Sequence, residues 1–102
     1  KKYDKKFENL PVIYGNEVQI FFPQFYETLK ETNFDINKIE FFKYFDTNRW
    51  DIFLKSGRLI KLPSNENDTK QSIFKFMSIS KDKKFDKFKI FDFRVKNQLI
   101  IK

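Results

Sequence analysis

The chain has 102 residues, a formal net charge of +7, and neither cysteine nor histidine. That length suits one domain with a modest core. The missing residue types exclude disulfides, thiolate metal sites, thiol nucleophiles and imidazole proton shuttles.

Residues 1 to 9 are strongly charged, with Tyr3 and Phe7 as apolar anchors, and read as the end of an edge strand or as a linker. Val18, Phe21, Phe22, Phe25 and Leu29 then recur at the spacing of one helix face, which predicts a helix over residues 18 to 29. Proline is comfortable in a first helical turn and costly further in, so Pro23 makes this helix either begin near Phe22 or kink there. Thr32, Asn33 and Asp35 break it. Residues 36 to 45, rich in Ile, Phe and Tyr, predict a strand whose apolar residues lie on both faces, so that both sides are covered. Asp46, Thr47 and Asn48 form a turn cluster.

Lys55, Ser56 and Gly57 fit a three-residue hairpin loop whose last position is left-handed, where glycine carries no steric penalty. That loop sets Ile52 opposite Ile60, Trp50 opposite Leu62 and Asp51 opposite Lys61. Apolar pairs then share one face and charges the other. Pro63 ends the second hairpin strand, and Asn67 or Asp68 is the expected cap of a second helix over residues 68 to 80 carrying Ile73, Phe76 and Met77. Residues 81 to 87 read as a charged loop. Residues 88 to 95 and 99 to 102 then make a terminal hairpin around Lys96, Asn97 and Gln98. The order helix, three strands, helix, two strands predicts an α+β domain: a mostly antiparallel sheet, a meander plus a C-terminal hairpin, packed on one side by two helices.

The charge invites a nucleic-acid reading, and a basic α+β nucleic-acid-binding domain is the alternative function. Against it, the 18 Lys and 3 Arg are scattered over almost every segment, and the excess of Lys, Phe, Ile and Asn with no Ala is what AT-rich codons produce. Phenylalanines interleaved with lysines resemble the aromatic face of β-sheet RNA binders, whose signature needs a glycine that is missing here. The fifteen Phe are assigned mainly to the core, where burying each contributes about 1.5 to 3 kcal/mol. Trp50 is assigned there too. Asp46, Asp51 and Asp92 and the serines lie in no glycine-rich elbow, phosphate loop or calcium loop, so no enzyme, cofactor or metal is expected. Asp51 reads as a solvent-facing partner of Lys61. No apolar run approaches the 18 or so residues that span a bilayer, and the start lacks the charged-then-apolar pattern of a secretory signal.

The last strand carries the functional expectation. Leu99, Ile100 and Ile101 have only Lys102 after them, and a terminal strand of that kind commonly borders a sheet with little charge or proline to protect it. Such an edge can take up a partner by strand addition. Alternatively, other parts of a longer protein cover it.

Three motifs in order carry a family resemblance: Leu10-Pro11-Val12-Ile13-Tyr14-Gly15, then Arg49-Trp50-Asp51 with Leu54-Lys55-Ser56-Gly57 and Leu62-Pro63, then Asp92-Phe93-Arg94 before Leu99, Ile100 and Ile101. Together they span nearly the whole chain, which resembles the C-terminal β domain of the FtsQ (DivIB) bacterial cell-division family, above all its alphaproteobacterial members. Phe93 stands where that family usually has Leu, and Asn16-Glu17-Val18 replaces a stretch richer in glycine and alanine. The resemblance implies a noncatalytic division scaffold on the periplasmic side of the inner membrane. In such proteins a transmembrane helix and a POTRA domain lie upstream. The implied partners are FtsB and FtsL, docked by strand addition at Arg94, Val95, Lys96, Asn97, Gln98, Leu99, Ile100 and Ile101. Arg94 would pair with an acidic partner side chain, with Lys96 as a weaker rim charge, or else turn inward to Asp92.

Overall fold

A computed structural model describes residues 11 to 102; the expectations for residues 1 to 9 and for Leu10 lie outside them. Six strands form one sheet in sequence order: β1 (Val12–Tyr14), β2 (Ile39–Phe45), β3 (Arg49–Leu54), β4 (Leu59–Lys61), β5 (Ile90–Asp92) and β6 (Ile100–Ile101). Helix α1 (Val18–Glu31) connects β1 to β2, and α2 (Glu66–Ile79) connects β4 to β5. The domain is α+β as expected, but its sheet is mixed. The β1–β2 and β4–β5 pairs are parallel and the other three antiparallel. A helix between two neighbouring strands returns the chain to its starting end, so each crossover imposes parallel pairing.

Helix α1 buries Phe22, Phe25, Thr28 and Leu29; of the face read from the spacing, Val18 is only half-buried and Phe21 is exposed, stacked on Tyr44 at its margin. It starts at Val18, earlier than Pro23 suggested, and carries the proline inside it. Glu17 precedes it in a left-handed conformation (φ 55°) and gives no side-chain cap. At the other end Thr32 Oγ1 donates to the Leu29 carbonyl (2.6 Å) and Asn33 turns left-handed (φ 62°), which stops the helix. Helix α2 is capped by Asn65 rather than Asn67 or Asp68: Asn65 Oδ1 accepts from the Asp68 N–H at 3.1 Å. Glu66 and Asp68 in its first turn complement the positive helix end.

Residues 36 to 38 form a 3₁₀ turn, Ile36–Lys38, closed by Asp35, so the predicted strand there begins only at Ile39. The predicted strands over residues 88 to 95 and 99 to 102 are likewise shorter, β5 and β6. Both helices cover the same sheet face. Between them Thr28 Oγ1 donates to Glu66 Oε2 (3.2 Å) and Lys70 pairs with Glu31 (2.6 Å). Under the helices Phe42, Ile52, Ile60, Leu62 and Phe91 are fully buried, as is Ile73 on α2, with Trp50 among Phe22, Phe25, Phe42 and Tyr44.

The hairpin around Lys55, Ser56 and Gly57 forms in the expected register. Ile52 pairs with Ile60 and Asp51 with Lys61, the Leu62 N–H reaches the Trp50 carbonyl (3.1 Å), and Gly57 takes φ 93°. Gly15 matters more. Its φ is 133°, and a Cβ there would lie 2.8 Å from both the Cβ and the carbonyl oxygen of Tyr44. Gly15→Ala is therefore expected to cost about 1 to 3 kcal/mol in urea denaturation. Gly57→Ala, where nothing lies within 4 Å of the new Cβ, should cost less, since only the backbone strain remains. Equal costs would mean that the contact with Tyr44 does not hold the β1–α1 turn.

Candidate docking edge

The C-terminal hairpin turns on Asn97, left-handed at φ 61°, with the Gln98 N–H bonded to the Val95 carbonyl at 3.1 Å. Ile90 and Lys102 exchange both main-chain bonds at 3.0 Å, Phe91 faces Ile101, and Asp92 faces Ile100. In an antiparallel pair, bonded and non-bonded positions alternate. Ile100 therefore directs its N–H and C=O at Asp92, while Ile101 and Leu99 direct theirs away from β5. The sheet order ends at β6, and among the described residues no strand flanks its outer side.

Side chains alternate as well. Leu99 and Ile101 are half-buried and pack against the core, whereas Ile100 lies on the opposite face and is exposed. Val95, Lys96, Asn97 and Gln98 are exposed in the turn. The structure thus gathers residues 94 to 101 into one hairpin and divides their roles. Leu99 and Ile101 offer main chain, Ile100 offers an apolar side chain, and the turn forms a rim. A cleft of about 410 Å³ separates that rim from α2, with Phe93, Leu99 and Ser72 among its lining.

Arg94 takes the inward alternative. Its Nη2 lies 2.7 Å from Asp92 Oδ2 and its Nε 2.9 Å from Asp92 Oδ1, and its main-chain N–H also donates to Oδ1 (3.0 Å). The bonds from the Arg94 side chain hold the Asp92 carboxyl below its usual range, against a smaller upward push from burial. Asp51 corrects an expectation. It is buried, and its near partner is Arg49 Nη1 at 2.7 Å, rather than solvent and Lys61 alone. Burial pushes its carboxyl up, with Arg49 and then Lys61 pulling the other way.

The two aspartates therefore act on stability with opposite signs. A carboxyl depressed in the fold contributes stability above its unfolded value, about 3.9, and that contribution is lost as pH falls through the folded value. A raised carboxyl opposes the fold increasingly as pH climbs from the unfolded to the folded value. Relative to wild type, Asp92→Asn should become more destabilising as pH rises through the acid range. Asp51→Asn should become less so. Urea midpoints between pH 2.5 and 7 check this, and parallel profiles would contradict it.

The expected cover on both sides of the strand over residues 36 to 45 is corrected: both helices pack on one sheet face, and the other carries its apolar residues without them. Val12, Phe41, Phe53, Leu59 and Ile90 align through successive strand pairs into one apolar row across five strands. Phe41 and Phe53 stack at 4.2 Å, and Tyr14 meets Phe41 edge-on at 5.3 Å. Beside it runs a polar row, Lys43, Asp51, Lys61 and Asp92, ending at Ile100. Among the described residues no second layer covers this face; the aromatic rings shield each other, and the Arg49 guanidinium lies 4.4 Å over Phe45. The hairpin register already implied the Phe53–Leu59 pair.

Among the described residues no group of three or more acidic side chains could hold a metal ion, and no helix is long and apolar enough to cross a membrane. In comparisons with known proteins, no family model matches the chain and no curated protein matches it.

Proposed function

We propose that this chain is the extracytoplasmic β domain of an FtsQ-type division protein, a noncatalytic scaffold that takes up FtsB- and FtsL-type partners by strand addition along Leu99, Ile100 and Ile101. The observation that carries the reading is the place of β6: it borders β5 on one side only and turns the Ile101 main-chain groups outward. An unpaired border of this kind gains main-chain bonds from an added strand, and the alternating side chains select which strand fits. The three ordered motifs support the family reading, and the Trp50 hairpin and Asp92–Arg94 clasp give two of them physical roles. On this reading Arg94 is already neutralised by Asp92, so partner selection rests on shape and main chain more than on that charge. A membrane-spanning helix and a POTRA domain would precede the domain in the whole protein and set it in the periplasm.

The test titrates the ¹⁵N-labelled domain with synthetic peptides that together cover the FtsB-type protein of the same genome. Amide shifts centred on residues 94 to 102 are expected. Saturable binding that leaves those signals in place, or no binding, would remove the proposal.

The open face favours one other reading, a single-stranded nucleic acid lying on Tyr14, Phe41 and Phe53 beside Lys43 and Lys61. It is weakened because Phe41 and Phe53 spend a face on each other, leaving less platform for bases. It requires oligonucleotide affinity that falls steeply with salt.

A further inference from the structure

A cleft of about 600 Å³ opens where both helices end, sharing no lining residue with the C-terminal hairpin. Its apolar surface comes from Phe34, Leu54 and Phe76, with Met77 beside them. Lys38 from the 3₁₀ turn, Lys55 from the hairpin loop and Lys81 after α2 line it as well. None of these three lysines takes part in an ion pair among the described residues. Arg58 also lines the cleft, but its guanidinium is engaged by the Phe85 and Phe88 carbonyls at 2.8 and 3.3 Å and faces Asp86 at 3.7 Å. Asp35 is the one carboxylate on the wall, and it accepts the Asn37 N–H at 3.0 Å.

The two helix C-termini contribute roughly half a negative charge each. With Asp35 they offset part, not all, of the three ammonium charges. Like charges around a single opening repel, and the repulsion is relieved when an anion enters between them. The apolar floor is satisfied only by a ligand with a hydrocarbon or aromatic body. The volume falls within the range of small-molecule sites, about 300 to 1,000 Å³.

We propose that this cleft binds a small amphiphile with an anionic head, a carboxylate or a phosphate monoester, held by Lys38, Lys55 and Lys81 over the Phe34, Leu54 and Phe76 floor. The site is independent of the partner-binding reading. It is distinct from the scattered positive surface because charge and apolar contact converge in one cavity.

The experiment titrates the ¹⁵N-labelled domain with octyl phosphate and octanoate below their micelle concentrations, and with octanol. Both anions are expected to shift the amides of residues 33 to 38, 54 to 58 and 76 to 81, with octanol much weaker. Lys38→Glu with Lys81→Glu should lower octyl phosphate affinity at least about tenfold. Lys43→Glu with Lys87→Glu, of equal net charge and outside the cleft, should change it less than about twofold. If the first pair fails to fold, Lys38→Gln with Lys81→Gln carries the same expectation at smaller size. Vesicles containing phosphatidylglycerol distinguish the source: sedimentation that depends on the same lysines points to a bilayer lipid, and its absence to a free amphiphile. Octanol binding as tightly as octyl phosphate, equal losses in the two charge-reversed variants, or shifts confined to other residues would each overturn the proposal.

Discussion

If a partner strand adds to β6 as proposed, Ile101→Pro is expected to abolish its binding while the domain keeps its fold, and Ile100→Pro is expected to damage the fold itself. The two positions are adjacent, and the difference lies in which way their main-chain groups point. Ile90 and Lys102 exchange bonds, so the alternation makes Asp92 and Ile100 the next bonded pair and leaves Ile101 facing outward. Proline at 100 removes a donor that β5 uses, and an unsatisfied ladder group costs about 1 to 3 kcal/mol. Proline at 101 removes only a donor that a partner would use, and prolines are tolerated at sheet borders in that orientation. Its side chain is half-buried against the core, so Ile101→Ala serves as the packing control. Guanidinium denaturation and peptide titration of all three variants provide the check. Affinity retained in Ile101→Pro would exclude strand addition at β6, whatever else binds there.

What the sequence disclosed follows the range of the interactions concerned. The Lys55–Gly57 loop was legible because turn chemistry and period-two patterning specify the same register, and the structure repeats it down to Asp51 opposite Lys61. Helix α1 was legible because five apolar residues repeat at its pitch. The mixed sheet was not. Strands β1 and β5 are three residues long, too short to display a period, and their direction depends on helices crossing one face. The second helix cap was displaced because three of the four residues from Asn65 to Asp68 are capping types, and only geometry selects Asn65. That the last strand closes the sheet could be expected from its terminal position. Which of its residues look outward depends on a single step of register, and Asp51's burial depends on Arg49 folding over Phe45 beside it.

The second large effect concerns Trp50. It is 6% exposed and has four aromatic neighbours, with ring centroids at 4.7 Å for Phe25, 4.8 Å for Tyr44, 5.8 Å for Phe22 and 6.3 Å for Phe42. Replacing it with alanine removes buried area and leaves a space that these rings can refill only by leaving their rotamers, so the cost should be about 3 to 5 kcal/mol. Against a total of about 5 to 15 kcal/mol for a domain, that is a large part of the stability. The melting temperature should fall by more than about 10 °C, read by far-ultraviolet circular dichroism because the fluorophore is lost. Trp50→Phe keeps a ring between Phe25 and Tyr44 and should cost less. Trp50 stands on β3, three strands and roughly 14 Å from β6, a separation at which effects on stability and on a distant edge become independent. Peptide affinity of the folded fraction should therefore change less than about twofold at 10 °C. If Trp50→Ala instead lost the peptide while still folded, the edge would depend on the aromatic cluster, and docking would reach beyond the main chain of β6.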